Sequence, residues 1–275
     1  MFTPQGPTLR ELAVQAFSSI EHGYDLLAPK FDHTPFRTPD HLLDAVVRTV
    51  RPLGPFATGL DICCGTGAGV GVLRRLCDER VTGVDFSAGM LAAAASAPAS
   101  ASAAASAPAS APASRSGSAA SPASRSASAP ASAEFTSAAV DWVRADARAL
   151  PFAPAFDLAV SFGAFGHFLP AERPVLFAQA HAVLRPGGLF VFPLPAPPHV
   201  GSPLYWALWG FDSAMRLRNL LWHPRFVMYY RTFRLPEVLD ELARTGFATE
   251  LLPLTDLGQR PDGSPRCALV VALRE

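Results

Sequence analysis

Three aspartates and a glycine-rich loop are the residues of this 275-residue chain whose types and spacing could do chemistry. The first aspartate, Asp61, lies in LDICCGTGAGVGVL, where an apolar run is followed by two cysteines and four glycines. Glycines between a buried strand and a helix let a ligand lie against the backbone, because they have no β-carbon. A dinucleotide fingerprint would need a third glycine where Val70 stands, and Asp61 would repel a pyrophosphate. The loop therefore predicts a cationic ligand, or at least one that is not anionic.

Two more aspartates stand where further apolar runs end. Asp85 lies in VTGVDFSAGML, and an acid at the end of the second strand of such a unit accepts hydrogen bonds from both hydroxyls of a ribose. Asp146 lies in VDWVRADARALPF, at the end of the next strand, where a carboxylate can accept a hydrogen bond from the exocyclic amine of adenine. A cation, a ribose and an adenine together describe S-adenosylmethionine, which is therefore the predicted cofactor.

Short apolar runs alternate with stretches of helical periodicity along most of the chain, which is typical of parallel β/α units. Ser87 is expected to cap the helix after the second strand, and Gly246 follows the end of the last helix. The expected strands include 57–62, 81–84, 157–162, 189–192, 248–254 and 267–273. The expected helices include 39–50, 68–76, 171–184 and 236–244.

Residues 92–133 consist almost entirely of alanine, serine and proline. Such a segment has no large side chains to bury, so burial cannot offset the conformational entropy that ordering would cost. We expect a disordered insertion whose first alanines can extend the preceding helix.

Composition and charge limit the classes of function. The 23 basic and 23 acidic residues balance, and the charges form no runs, so we expect no nucleic-acid partner. The four cysteines lack the paired spacing of a zinc site, which favours reduced thiols and no metal. The uncharged span 189–211 has too many prolines and glycines for a transmembrane segment, and the first residues lack the pattern of a secretory signal. We therefore expect a cytoplasmic protein with a small-molecule partner, whose oligomeric state the sequence does not indicate.

Four motifs, taken in order, resemble a class I S-adenosylmethionine-dependent methyltransferase. They are LDICCGTGAG, VTGVDFSAGML, RADARALPF, and FDLAVSFGAFGHF followed by LRPGGLFVF. The resemblance covers about residues 60–193 without the insertion and is to the broad branch with quinone-biosynthesis and small-molecule enzymes. It implies an α/β, Rossmann-like fold in a single domain, 1–275, with a doubly wound, mostly parallel seven-stranded sheet whose last strand is antiparallel. It also implies transfer of the sulfonium methyl by in-line displacement, without a required metal.

Placed on the motifs, the resemblance gives a set of residues expected to bind the cofactor. The alternatives stay open for several of them: Asp61 could cap the glycine loop, Asp146 could hydrogen-bond to the start of the following helix, and Cys63 and Cys64 could simply fill a tight strand end. The expected cofactor-binding residues are Asp61, Cys64, Gly65, Thr66, Gly67, Asp85, Phe86, Met90, Asp146, Ala147, Ser161 and Phe162.

His167 is the first candidate for a general base, because the loop after the fourth strand borders the methyl group in this family. A histidine that only packs, or only contacts the cofactor, is an equal alternative. In the N-terminal region, which folds over the cofactor in related enzymes, Tyr24 or Arg37 could meet the methionine carboxylate or the substrate.

The connection 194–234 is rich in aromatic residues and, by the resemblance, forms an aromatic cap over the acceptor. Its tyrosines and tryptophans suggest a hydrophobic or aromatic small molecule, although some of them could simply attach the cap to the sheet. A further interpretation combines these aromatics with nearby arginines into an amphipathic surface that rests peripherally on a membrane. The candidate substrate residues are Tyr205, Trp209, Tyr229 and Tyr230, and the arginines are Arg216, Arg218, Arg225 and Arg231.

Two other classes of function remain open on the sequence. A nicotinamide-dependent oxidoreductase would use a similar glycine loop but would be stabilised by NAD(H) and not by the methyl donor. A non-catalytic cofactor-binding module would bind the donor and act through protein contacts.

Overall fold

The computed structural model of the protein describes residues 5–97 and 138–275, which form a seven-stranded sheet packed with helices. Six strands run in the same direction, and β7 is antiparallel to both of its neighbours, as predicted. The strand order is β3-β2-β1-β4-β5-β7-β6. The strands are β1 Phe56–Ile62, β2 Cys77–Asp85, β3 Ala139–Arg144, β4 Phe156–Val160, β5 Leu184–Pro195, β6 Phe247–Pro253 and β7 Cys267–Arg274.

Eight α-helices surround this sheet in the described ranges. The helices are α1 Leu9–Phe17, α2 Ile20–Leu27, α3 Asp40–Val50, α4 Ala68–Leu73, α5 Ala88–Ser96, α6 Arg173–Val183, α7 Pro203–Leu221 and α8 Leu235–Arg244. Short 3-10 turns at Ala28–His33 and Phe165–His167 also carry residues of the site described below. Within the described residues, no helix combines the length and apolar character needed to cross a bilayer.

Alternate residues of the central strands point into two separate cores, which gives the doubly wound architecture its physical basis. Phe190 of β5 is fully buried beside Phe177 of α6 and Leu242 of α8. Its neighbour Val191 lies in the opposite core, with Val46 of α3 and Leu73 of α4. A strand buried on both faces needs apolar residues at every position, which explains the continuous apolar runs in the sequence.

The described helix α5 corrects the boundary of the predicted insertion. Residues 92–96 belong to this helix, whose N-terminus is capped by the Ser87 hydroxyl, the acceptor of the Met90 amide proton at 3.1 Å. Met90, Leu91 and Ala94 are buried against the sheet, so packing holds the alanine-rich turn. The rest of the predicted insertion, 98–133, lies outside the described residues.

The sheet order also fixes where a ligand can lie. β1 connects through α4 to β2 on one side, whereas β4 adds on the other side of β1, so the direction of winding reverses between β1 and β4. The loops that leave the carboxyl ends of β1 and β4 therefore diverge and open a crevice, which is the usual ligand position in open α/β sheets.

Candidate active site

A cavity of about 1750 Å³ opens at this crevice. It extends from the loop after β1 to the cap segment 194–234, and its walls include the N-terminal residues Tyr24 and Arg37. Single-ligand sites usually have about 300 to 1000 Å³. The cavity is therefore large enough for a cofactor and a second small molecule together.

The glycine loop after β1 has a backbone conformation that favours glycine. Gly65 and Gly67 have φ angles of 51° and 92°, in the left-handed region that favours glycine. A β-carbon on Gly65 would meet no atom within 4 Å, so this residue exposes bare backbone to the cavity. Cys63 also has a positive φ, and burial raises the pKa of its thiol, so the thiol stays neutral in the tight strand end.

Asp61 is a buried carboxylate with no hydrogen-bond partner on either oxygen among the described residues. Its side chain lines the cavity, although the residue is only 1% exposed. Burial, and next the charge of Asp85, raise the pKa of Asp61 well above its ordinary value, against the opposing effect of the Gly69 and Val70 amides. Since an unpartnered buried charge is costly, this carboxylate is poised for a cationic or hydrogen-donating ligand.

Gly69, in the first turn of α4, packs directly against the Asp61 side chain. A β-carbon at Gly69 would overlap the Asp61 carboxylate, so Gly69→Ala is expected to lower the free energy of unfolding by about 1 to 3 kcal/mol. Gly210→Ala is the matched control, because a β-carbon there meets nothing within 4 Å in helix α7. Alanine is the better helix former, so the control should raise stability by up to about 1 kcal/mol. Urea unfolding of both variants tests this, and equal stability of the two would contradict the described contact.

Asp85 stands at the end of β2 and joins two loops. Its Oδ2 accepts the amide proton of Gly65 at 2.9 Å, and its Oδ1 accepts that of Ser87 at 2.9 Å. Burial raises the pKa of Asp85, although these amides oppose the rise. Each carboxylate oxygen can accept a second hydrogen bond, so the group remains able to accept from a ligand in the cavity.

Asp146 is placed at the cavity but is already engaged. Its Oδ1 accepts the backbone amide proton of Arg148 at 2.8 Å, and the Arg148 guanidinium donates to both of its oxygens. These bonds to Arg148 hold the pKa of Asp146 below its ordinary range. The sequence suggested a bond to the start of a following helix; the structure has a turn there instead, and the Arg148 amide of that turn is the partner of Asp146. Ala147 next to it also lines the cavity.

Two aspartates that were not expected from the sequence join the N-terminal segment to the site, one at the start of α5 and one at the glycine loop. Asp25 Oδ1 accepts from the Ser87 hydroxyl at 2.6 Å and from the Gly89 amide at 2.8 Å. Asp32 Oδ1 accepts from the Thr66 hydroxyl at 2.7 Å. These contacts join positions far apart in sequence, and the N-terminal region that supplies the two aspartates has no motif. No local sequence pattern could therefore have indicated them.

His167 lies at the centre of a buried hydrogen-bonded chain. Its Nδ1 lies 2.7 Å from the carbonyl oxygen of Val227, and its Nε2 lies 2.6 Å from the hydroxyl of Tyr24. A carbonyl only accepts, so Nδ1 carries the proton and Nε2 accepts the hydrogen bond that Tyr24 donates. Burial lowers the pKa of His167 and raises that of Tyr24, so both groups are neutral. Both residues line the cavity, and Tyr24 occupies the accepting nitrogen of His167.

The structure brings most of the predicted cofactor residues to the cavity and leaves two elsewhere. Ser161 is 1% exposed and donates from its hydroxyl to the Ile62 carbonyl at 2.8 Å, so it joins two strands instead of lining the cavity. Gly67 faces the Trp142 ring, 3.0 Å from where its β-carbon would stand. The predicted residues that line the cavity are Asp61, Cys64, Gly65, Thr66, Asp85, Phe86, Met90, Asp146, Ala147 and Phe162.

The cap residues divide in the same way. Tyr205, Tyr229 and Tyr230 line the cavity, and the Arg231 guanidinium lies 4.7 Å from the centre of the Tyr205 ring. Trp209 does not line the cavity, because it lies on the outer side of α7, where it is 49% exposed. In the ranges 5–97 and 138–275, no group of three or more His, Cys, Asp or Glu side chains is arranged to hold a metal ion.

Comparisons with solved structures find the same fold in methyltransferases. A SAM-dependent methyltransferase from Methanosarcina mazei is similar with a TM-score of 0.53 and 17% identity, over 83% of this chain and 96% of that one. The YcgJ protein from Bacillus subtilis is similar with a TM-score of 0.52 and 15% identity, over 86% and 99% of the two chains. At such identities the likeness shows the fold alone.

The assignment of the chain to a family rests on its sequence. No curated protein matches the chain. The family model described as a methyltransferase domain matches residues 31–251, which is more than half of the chain. The chain therefore belongs to this methyltransferase family.

Proposed function

We propose that the protein transfers a methyl group from S-adenosylmethionine to a small hydrophobic or aromatic acceptor held under the cap. The observation that carries this proposal is the single cavity that joins the glycine loop to the aromatic residues Tyr205, Tyr229 and Tyr230. Apolar walls with a few polar groups are typical of sites for such molecules, and flat rings of the quinone-precursor kind belong to this class.

The residues around the glycine loop fit the donor. Asp61 supplies a buried carboxylate whose oxygens have no partner among the described residues, which suits a positively charged ligand. Gly65 offers open space where a side chain would stand, and Asp85 has free acceptor capacity beside it. Asp61, Asp85 and the segment from Asp146 to Ala147 would hold the cationic, ribose and adenine parts, while Arg37 at the cavity wall would meet the carboxylate.

When bound, S-adenosylmethionine supplies a methyl group on a positively charged sulfur, so that a nucleophile can attack the methyl carbon and the sulfur leaves as a neutral thioether. The chain then has to hold the acceptor in line, and such positioning can supply roughly 7 to 11 kcal/mol of the barrier. Tyr24 and the cap tyrosines surround the position of the acceptor, and Phe226 stacks 6.4 Å from the Tyr24 ring to fix its orientation.

A hydroxyl or amine acceptor loses a proton on methylation, and the Tyr24 and His167 pair provides a route for it. The proton passes from the acceptor to Tyr24 Oη, while the proton of Tyr24 passes along the 2.6 Å hydrogen bond to His167 Nε2. The Val227 carbonyl stabilises the resulting imidazolium through Nδ1. His167 later returns the proton to water. His167 thus serves as the general base through Tyr24, and not by direct contact with the acceptor.

The pair gives a prediction about rate and pH. Tyr24→Phe is expected to lower kcat by about 10² to 10⁴, while the affinity for S-adenosylhomocysteine stays nearly unchanged. Since burial lowers the pKa of His167 below 6.5, the imidazole stays unprotonated in moderately acid solution, and the fall of kcat should begin below pH 6.5. Tyr205→Phe is the control, because that hydroxyl contacts Arg231 and not His167. An acid limb above pH 6.5, or equal losses in both variants, would refute the route.

The experiment that tests the proposed function is a screen with isotopically labelled methyl donor. The purified chain is incubated with the labelled donor and fractions of small molecules extracted from the source cells, and labelled products are identified by mass. We expect label in a hydrophobic or aromatic compound. Binding of the donor with no labelled product in any fraction would favour a non-catalytic module.

A further inference from the structure

Helix α7 buries polar residues and exposes apolar ones, which is the reverse of a usual surface helix. Its buried residues include Asp212 and Asn219, which hold the loop that follows the helix. Asp212 accepts the amide protons of Tyr230 and Arg231 at 2.9 and 3.1 Å. Asn219 donates to the Phe226 carbonyl at 2.9 Å and accepts the amide proton of the same residue at 2.8 Å. These two polar residues of α7 are therefore used inside the molecule, whereas several large apolar residues of the helix face outward.

The outer side of α7 presents large apolar side chains to solvent. Leu220 and Leu221 are 77% and 72% exposed. Phe17 of α1, itself 54% exposed, packs edge-on against Trp222 with 5.5 Å between the ring centres, which extends the surface beyond the helix. A group of large exposed apolar side chains usually marks an interaction site. We call this surface the outer face; its main residues are Trp206, Trp209, Leu217, Leu220, Leu221 and Trp222.

The exposed charges of the segment that carries α7 have one sign. Residues 196–235 contain five arginines and a single acidic residue, Asp212, which is buried. Arg216 and Arg225 are exposed, and Arg216 lies four residues before Leu220 on α7, next to the outer face. The chain as a whole has no net charge, so this segment concentrates positive charge next to the apolar surface. A negatively charged partner is complementary to it.

We propose that the outer face of α7 binds the surface of an anionic phospholipid bilayer. A helix with tryptophan and leucine on one side and arginine at its edges is suited to lie in the interface of a membrane, where tryptophan rings are favoured. A second copy of the chain would bring the same arginines together, and their repulsion disfavours that occupant.

The position of α7 also connects the outer face to the cavity. Leu204, Tyr205 and Leu208 of the same helix line the cavity wall. A lipophilic acceptor could therefore pass from the bilayer to the cavity along one helix without crossing bulk water. This last step rests on the proposed function, whereas the binding of lipid does not.

Flotation with vesicles tests the proposal. The full chain is mixed with vesicles of phosphatidylcholine alone or with added phosphatidylglycerol. We expect the chain to float with the anionic vesicles, more weakly at high salt, and its tryptophan fluorescence to be quenched by brominated acyl chains. The double variant Leu220→Glu, Leu221→Glu should lower the partition coefficient more than about tenfold, because both side chains would be buried in the bilayer. Arg216→Gln should reduce the dependence on phosphatidylglycerol.

Val175→Glu is the matched control, since Val175 is also an exposed apolar residue of a helix, on α6. It should float as the wild type does. Titration with S-adenosylhomocysteine should show equal affinity for all variants, which separates a failure of lipid binding from a failure of the cofactor site. Absence of flotation with anionic vesicles, or an equal loss in Val175→Glu, would overturn the proposal. Self-association that the double variant abolishes, without vesicle binding, would assign the outer face to a second copy instead.

Discussion

Asp85→Ala should weaken the binding of S-adenosylhomocysteine by about 100-fold. A hydrogen bond to a charged carboxylate contributes about 1.5 to 3 kcal/mol, so the loss of two ribose contacts costs about 3 kcal/mol or more. The Gly65 amide also loses its acceptor, which loosens the loop under the ligand. Isothermal titration calorimetry measures the change directly. Asp85→Asn, which keeps one carbonyl oxygen but removes the charge, should lie between the wild type and the alanine variant.

A control separates this effect from a general loss of stability. Asp141 lies on the neighbouring strand β3, pairs with Arg80 at 2.7 Å and is exposed away from the cavity. Asp141→Ala should leave the affinity for S-adenosylhomocysteine unchanged, since an exposed ion pair contributes only about 0 to 1 kcal/mol to stability. If Asp85→Ala bound the ligand as tightly as Asp141→Ala does, Asp85 could not be the ribose acceptor.

Asp61→Asn should make the ligand-free chain more stable and the donor complex weaker. Both oxygens of Asp61 are buried and lack a partner in the described structure, and an unsatisfied buried polar group costs about 1 to 3 kcal/mol, more when it is charged. The amide removes the charge, so the melting temperature of the ligand-free chain should rise by several degrees, at about 2 to 4 °C per kcal/mol. The affinity for the cationic donor should fall, because the opposite charge is lost.

The stability gain expected for Asp61→Asn should depend on pH. In the folded chain the pKa of Asp61 lies well above the ordinary 3.8, so the folded state binds more protons than the unfolded state between these two values. The contribution of Asp61 is therefore most favourable below pH 3.8 and is lost as the pH rises through the raised pKa. The gain from Asp61→Asn should accordingly grow with pH. A ligand-free variant that is less stable than the wild type at neutral pH would contradict the account of Asp61.

The parts of the fold that were predictable are those in which each short segment specifies its own state. β1, β2 and β4 are apolar at consecutive positions because both faces are buried, and the motifs LDICCGTGAG and VTGVDFSAGML place Asp61 and Asp85 at adjacent strand ends. β5 was predicted as 189–192 but runs over Leu184–Pro195, because it pairs with β4 on one side and along its length with β7 on the other. Tertiary pairing, and not local pattern, sets its ends.

The contacts that complete the site depend on parts of the chain that no local pattern relates. Tyr24 and His167 are 143 residues apart in the sequence. The sequence therefore indicated each residue singly, but not the hydrogen bond that gives them a joint role. Helix α7 shows the opposite problem, since its aromatic content was visible but its orientation was not. The backbone amides of Tyr230 and Arg231 decide that orientation by requiring Asp212 inside, which turns Trp209 away from the cavity.

A crystal structure of the complex with S-adenosylhomocysteine is the most direct test of the claim that the strand ends of β1 and β2 form the donor site. We expect both ribose hydroxyls within hydrogen-bond distance of Asp85, the adenine beside Ala147, and the amino group on the side of Asp61. A ligand bound elsewhere, or crystals that take up none at saturating concentration, would contradict it.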